Sequence, residues 1–209
     1  MTELPAISFE RMSSVLAFLD EANRLKDTLR SGRTPQGRQE STAEHSWRLC
    51  LLAILLAGEL KDVDLLRLLK ICIVHDLGEA ISGDVPATEQ RAGDDRAERE
   101  RADLITLCAP LPEDLRSEIV SLWDEYAQAT SPEAIMAKGL DKIETMLTHS
   151  TGKNDDDFDY RFNLGYGLPA TNCHPLLIAL RQHVDKRHRD IIDRDAFDVT
   201  VGAPKTQTP

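Results

Sequence analysis

The amino-acid sequence predicts an all-α protein, and three observations support that class. Apolar residues recur at three- and four-residue intervals through most of the 209 positions, as core-facing helical stripes require. Aromatics make up only 5% of the chain while Leu, Ala, Glu, Asp and Arg are abundant, a composition that favours helices over sheets. No alternating apolar–polar pattern of useful length and no internal repeat is present. A hydrophobic fraction of 41% and a charged fraction of 29% suit one globular domain, and the length suffices for one well-buried core. The domain is expected over residues 1–195, with a frayed tail over 196–209.

The elements follow in order. Residues 7–29 carry Phe9, Met12, Leu16, Leu19, Ala22 and Leu25 as a core-facing stripe. Turn residues over 31–37 break it. Ser41 and Glu44 have capping-box spacing, so a second helix starts there and runs to about Gly58. Asp62 or Asp64 caps a third helix from Leu65 to about Asp76, apolar nearly all round and therefore central. Gly78, Gly83 and Pro86 make the next stretch a loop or broken helix. The dense charges over 91–101 read as a solvated face, and 104–107 restores apolar content. Pro112 starts a helix that buries Leu115, Ile119, Leu122, Trp123 and Tyr126. Ser131-Pro132 opens another, apolar apart from Asp141 and a few polar neighbours. Residues 152–169 read as an acidic, glycine-bearing loop, and 175–194 as the last helix.

Bulk properties exclude several functions. A formal net charge of -11 argues against a nucleic-acid polymer or an anionic membrane as partner. The N-terminus has no signal-peptide pattern, and the most apolar run, 49–57, is too short to span a bilayer. Cys50, Cys72, Cys108 and Cys173 are scattered, without a paired motif, and read as reduced thiols in a cytoplasmic protein.

The chemistry concentrates in four residues. His45, the adjacent pair His75-Asp76 and the later Asp141 offer two imidazoles and two carboxylates. That donor set binds a divalent cation and leaves positions open for water and an anion. Neighbouring residues on a helix point about 100° apart. His75 and Asp76 therefore share one ion only at a helix end, where Leu77-Gly78 lets the backbone turn. Asp141 sits in an apolar stretch, where a bare carboxylate would cost several kcal/mol. A metal offsets that cost. The plain alternative is a surface acid paired with Lys138 or Lys142. For the histidines the alternatives are a capping and a core role. His149, His174, His183 and His188 read as surface or capping residues.

The run Glu44-His45-Ser46, then 75–86 with its Gly83-Asp84-Val85-Pro86 segment, then Asp141-Lys142, resembles the HD-domain metal-dependent phosphohydrolase superfamily. Within it the 5'-deoxynucleotidase branch is most similar. The resemblance spans roughly residues 18–147 and implies a helical HD-type bundle, a homodimer, and one divalent metal on His45, His75, Asp76 and Asp141. It further implies that Glu79 activates water or relays a proton, that Asp84 lies near the scissile ester or sugar, and that Arg30 holds the phosphate. The implied substrate is a small phosphate ester, foremost a nucleoside 5'-monophosphate. Another phosphate ester or phosphodiester, and a non-catalytic regulatory module, are the other readings.

Two imidazoles make the ion borderline, so Mn, Co, Fe, Ni or Zn fit better than Mg. Two-metal members of the superfamily add histidines before the final Asp, and here none lies between Asp76 and Asp141. One ion is therefore expected. Where relatives often place an aromatic beside the sugar, this chain has Ser31 and Arg33, which leaves the sugar preference open.

Overall fold

The computed structural model describes residues 7–91 and 93–201, with side chains for all of these but 195 and 198–201. Ten helices appear among them: α1 (Phe9–Ala22), α2 (Thr42–Leu55), α3 (Leu65–Val74), α4 (Glu79–Ser82), α5 (Arg96–Leu107), α6 (Glu113–Gln128), α7 (Pro132–Thr151), α8 (Tyr160–Gly165), α9 (Leu168–Thr171) and α10 (Pro175–Val201). Short 3-10 turns over Asn23–Lys26 and Ala57–Glu59 extend α1 and α2. The all-α class holds, with one small addition: β1 (Leu29–Arg33) and β2 (Gln39–Ser41) form an antiparallel hairpin.

Local chemistry sets the helix ends. The Ser41 hydroxyl accepts from the Glu44 N–H while the Glu44 carboxylate accepts from the Ser41 N–H, the expected capping box. Asp64 caps α3 by accepting from Arg67 N at 3.1 Å. Ser131 caps α7, and Pro132 fills its first turn. The last regular residue of α3 is Val74, so His75 is its C-cap and Asp76 already lies in the turn beyond.

Helix α7 is central and packs against α2, α3, α6, α9 and α10. Leu49, Leu68, Ile71, Leu104, Met136, Leu140 and Leu177 are all but inaccessible and form the main core. Truncating any of these aliphatic side chains to Ala should cost about 2–5 kcal/mol. Gly78 lets α4 approach α5. A Cβ there would stand 2.6 Å from the Glu100 carbonyl oxygen. Gly83 ends α4 at φ 85°, a conformation that favours glycine.

Several expectations are corrected. The stripe on α1 holds only at its end: Ala22 and Leu25 pack on the core, whereas Phe9 is 85% exposed and Met12, Leu16 and Leu19 also face solvent. Phe18 and Val15 take the place of the exposed residues in the core contact. The helix expected to run to residue 29 has given way to the hairpin by then. The expected loop over 152–169 contains α8 and the start of α9. The charged stretch is not wholly solvated, since Arg96, Ala97 and Glu100 line a cavity. His149 and His188 are buried rather than superficial, because α10 packs along α7 and α8. His174 does cap, accepting from Leu176 N at 3.2 Å, and His183 is exposed. Helix α10 continues to Val201, past the expected end near 194, and residues 202–209 lie outside the described residues.

Candidate metal centre

Three helices deliver the four expected ligands to one place. His45 lies on the first turn of α2, His75 and Asp76 at the end of α3, and Asp141 in the middle of α7. His45 Nε2 is 3.2 Å from Asp141 Oδ1 and 3.8 Å from Asp76 Oδ2. His75 Nε2 is 3.0 Å from Asp76 Oδ2 and 4.0 Å from Asp141 Oδ1. The two rings are tilted, with centroids 5.6 Å apart. Ligand atoms of His45, His75 and Asp76 all lie within 4.8 Å of one another.

A divalent ion fits this donor set. Both Nε2 atoms are buried and have no hydrogen-bond partner, and buried polar atoms are rarely left so. Each opposite ring nitrogen is engaged. His75 Nδ1 donates to the Cys72 carbonyl at 2.9 Å, and His45 Nδ1 meets Glu144. With those nitrogens protonated and a cation bound, each ring would be neutral and would present its Nε2 lone pair to the ion.

Electrostatics are strong here. Burial works against an ionised Asp76, yet the His75 ring and Arg30 hold its carboxyl below the usual range. Burial likewise opposes Asp141, and Lys142 with the two imidazoles keeps it well below normal. Burial and Arg30 disfavour a charged His45, but Glu144 and Asp141 on its two sides lift it to about 10.

Arg30 reaches the cluster from β1. Its guanidinium donates to Asp76 Oδ2 at 3.1 Å and to Thr145 Oγ1 at 3.4 Å, and lies 3.7 Å from Asp84 and 4.0 Å from Glu79. Glu79 is buried at the start of α4 and accepts from the Thr42 hydroxyl at 2.9 Å. Burial pushes its carboxyl up, Asp76 and Asp84 add to this, and it reaches about 9. Glu79, Asp84 and Arg30 are thus gathered beside the four candidate ligands.

Other residues escaped the sequence reading. Tyr126 donates to Asp141 Oδ2 at 2.8 Å, and the Lys142 ammonium lies 2.9 Å from the same oxygen. Asp141 therefore has the lysine partner of its surface-acid alternative and still aims Oδ1 at the imidazoles. Tyr126 had registered only as apolar bulk, and Thr42 only as the residue after a cap. Their one signal was spacing from residues already singled out. The cluster opens into a cavity of about 1120 Å³ that also touches Arg96, Lys138, Phe158, Phe162 and Tyr166.

The HD domain family matches residues 22–178 of this chain, three quarters of its length. The chain belongs to that family. A "5'-deoxynucleotidase HDDC2" from Homo sapiens is 32% identical over 157 residues, covering 70% of this chain and 76% of the relative. The Bos taurus protein of that name is 32% identical over 170 residues, covering 80% and 82%. Among solved structures, a "Predicted metal-dependent phosphohydrolase" from Magnetospirillum magnetotacticum superposes with a TM-score of 0.70 at 28% identity. The match covers 85% of this chain and 97% of that one. As an HD-domain phosphohydrolase the chain is an enzyme of the hydrolase class, and its family is metal-dependent. No helix among the described residues is long and apolar enough to cross a membrane.

Proposed function

We propose that this HD-domain protein hydrolyses (deoxy)nucleoside 5'-monophosphates to nucleoside and phosphate. The observation that carries the reading is two orphaned imidazole nitrogens facing two carboxylates at the edge of a cavity that also holds Arg30, Glu79 and Asp84. The similarity to 5'-deoxynucleotidases supports the substrate class. His45, His75, Asp76 and Asp141 would hold one divalent ion, Mn, Co, Fe, Ni or Zn rather than Mg. Such an ion lowers the pKa of a bound water toward neutrality and polarises a phosphoryl oxygen.

The side chains supply the rest. The Arg30 guanidinium, a planar fork suited to phosphate, opposes the charge that builds on the equatorial oxygens. Asp84, 3.7 Å from it, helps hold that fork in place and lines the cavity, where the family resemblance puts it near the scissile ester or sugar. Glu79, whose carboxyl burial and the neighbouring acids push up to about 9, is suited to give a proton to the departing 5'-oxygen, a role worth about 10²–10⁴-fold when well placed. Phe158, Phe162 and Tyr166 offer ring faces for a base. A regulatory module with a structural metal would need neither a buried Glu79 nor Asp84 beside its ligands.

The proposal includes a cytoplasmic homodimer. Four free cysteines are compatible with a reducing compartment. The exposed stripe Phe9, Met12, Leu16 and Leu19 has the spacing of a helix-pairing seam, and sedimentation of Leu16→Ser beside the parent chain tests it. For the activity, inorganic phosphate release is measured over a panel of ribo- and deoxyribonucleotides, sugar phosphates and diesters with added Mn or Co. Turnover of 5'-monophosphates is expected. Stable metal binding without turnover of any panel member would overturn the enzymatic reading.

A further inference from the structure

His45 is completely buried, and its ring is held from behind. Nδ1 is hydrogen-bonded to Glu144 Oε2. Glu144 is itself fully inaccessible and stands three residues after Asp141, on the same face of α7. Its second oxygen accepts from Thr148 Oγ1 at 3.1 Å and lies 3.3 Å from Arg48 Nη1. Arg48 in turn donates to Thr148 Oγ1 at 2.8 Å. Both oxygens of one deeply buried carboxylate are thus engaged, one by the ring and one by a hydroxyl and a guanidinium.

Stability alone does not call for such an arrangement. An apolar side chain of similar volume between α2 and α7 would avoid the desolvation cost of a buried charge. What the carboxylate adds is direction. It accepts the Nδ1 proton, fixes the ring rotation, and points Nε2 toward Asp141 and Asp76, so that this nitrogen would offer its lone pair to a cation held there. His75 receives the same service from a neutral backbone carbonyl, that of Cys72. The two imidazoles are therefore backed by different acceptors, His45 by a side chain and His75 by its own helix backbone.

We propose that Glu144 is a positioning residue for the metal centre, acting through His45 and anchored by Thr148 and Arg48. This rests on the assignment of His45 as a ligand, and the test separates the two. Mn²⁺ affinity and the Co²⁺ absorption spectrum are measured on the full chain for the parent, Glu144→Ala, Glu144→Gln and His45→Ala, with circular dichroism on each. Glu144→Ala should remain helical, bind roughly 10–100-fold more weakly and change the Co²⁺ bands. Glu144→Gln should recover most of the affinity, because its amide oxygen accepts the same N–H. Parent-like affinity and spectrum in a folded Glu144→Ala would overturn the proposal. So would equal weakening in Ala and Gln, the pattern of a purely structural tie. If Glu144→Ala does not fold, Glu144→Asp decides. It keeps the charge but withdraws the acceptor by one methylene, and parent-like affinity there also overturns the role. Undiminished binding by His45→Ala would instead sink the ligand assignment itself.

Discussion

The two sides of the cleft are built from different material. The side with the candidate ligands comes from long helices, α2, α3 and α7, where His45, His75 and Asp141 are buried and tied by hydrogen bonds to their surroundings. Asp141 alone is held by Tyr126 and Lys142 at one oxygen while the other faces the histidines. The opposite side comes from short pieces: the stretch after Gly83, then α8 and α9, contributing Val85, Phe162 and Pro169 at half-exposed positions. The difference teaches a division of labour. Groups that must meet one ion need rigid elements, and groups that meet varied substrates can sit on shorter, more adaptable ones.

The largest effect should come from breaking the rigid side at a ligand. Asp76→Ala removes a carboxylate from the centre and a partner from Arg30, so metal and turnover should vanish together, by roughly a thousandfold or more in kcat/KM. Metal content by elemental analysis and phosphate release on the same sample check this. A variant that keeps its metal and loses only rate would mean Asp76 serves Arg30 rather than the ion.

Glu79→Gln should come next: metal retained, kcat reduced by about 10²–10⁴. The same residue predicts a pH signature in chelator-treated protein. Its carboxyl sits at about 9 when folded against an ordinary 4.5. Between those values the unfolded chain has given up the proton and the folded chain still holds it, so the raised pKa makes stability fall as pH rises from about 4.5 to about 9. Glutamine stays neutral and removes that slope. Glu79→Gln should therefore melt higher than the parent at pH 8 and close to it at pH 4.5. Equal melting temperatures at both pH values would show that Glu79 is not held protonated by its surroundings.

The same division explains what could be seen in the sequence. The convergence of His45, His75, Asp76 and Asp141 was legible because two imidazoles and two carboxylates suit one divalent ion and because a glycine follows the helix end that bears two of them. Periodicity marked a stripe on α1 but not which face the rest of the chain covers, and the exposed side proved to be the one with Phe9 and Leu16. The hairpin escaped because its strands are five and three residues long and its partner residues, Gln39 to Ser41, carry no alternation. Helices α8 and α9 were hidden by the glycines and proline that bound them. His149 read as superficial, yet it is buried with Nδ1 2.9 Å from Asn163 Oδ1, since its burial depends on α8 folding back. Tertiary closure decides such positions, and local composition does not report it.

The smallest effect should come from the adaptable side. Phe162 is 38% exposed, lines the cavity and tilts against Tyr166 at 5.8 Å between centroids. Its truncation costs little core, so Phe162→Ala should change stability by no more than about 0.5 kcal/mol. Base–aromatic stacking is worth about 1–3 kcal/mol, so KM for a nucleoside monophosphate should rise by about tenfold while kcat holds. Deoxyribose 5-phosphate offers the same scissile ester without a base and provides the contrast. Its kinetics should not respond to the substitution. If kcat for both substrates fell together, Phe162 would belong to the rigid side after all, and the two-sided description of the cleft would fail.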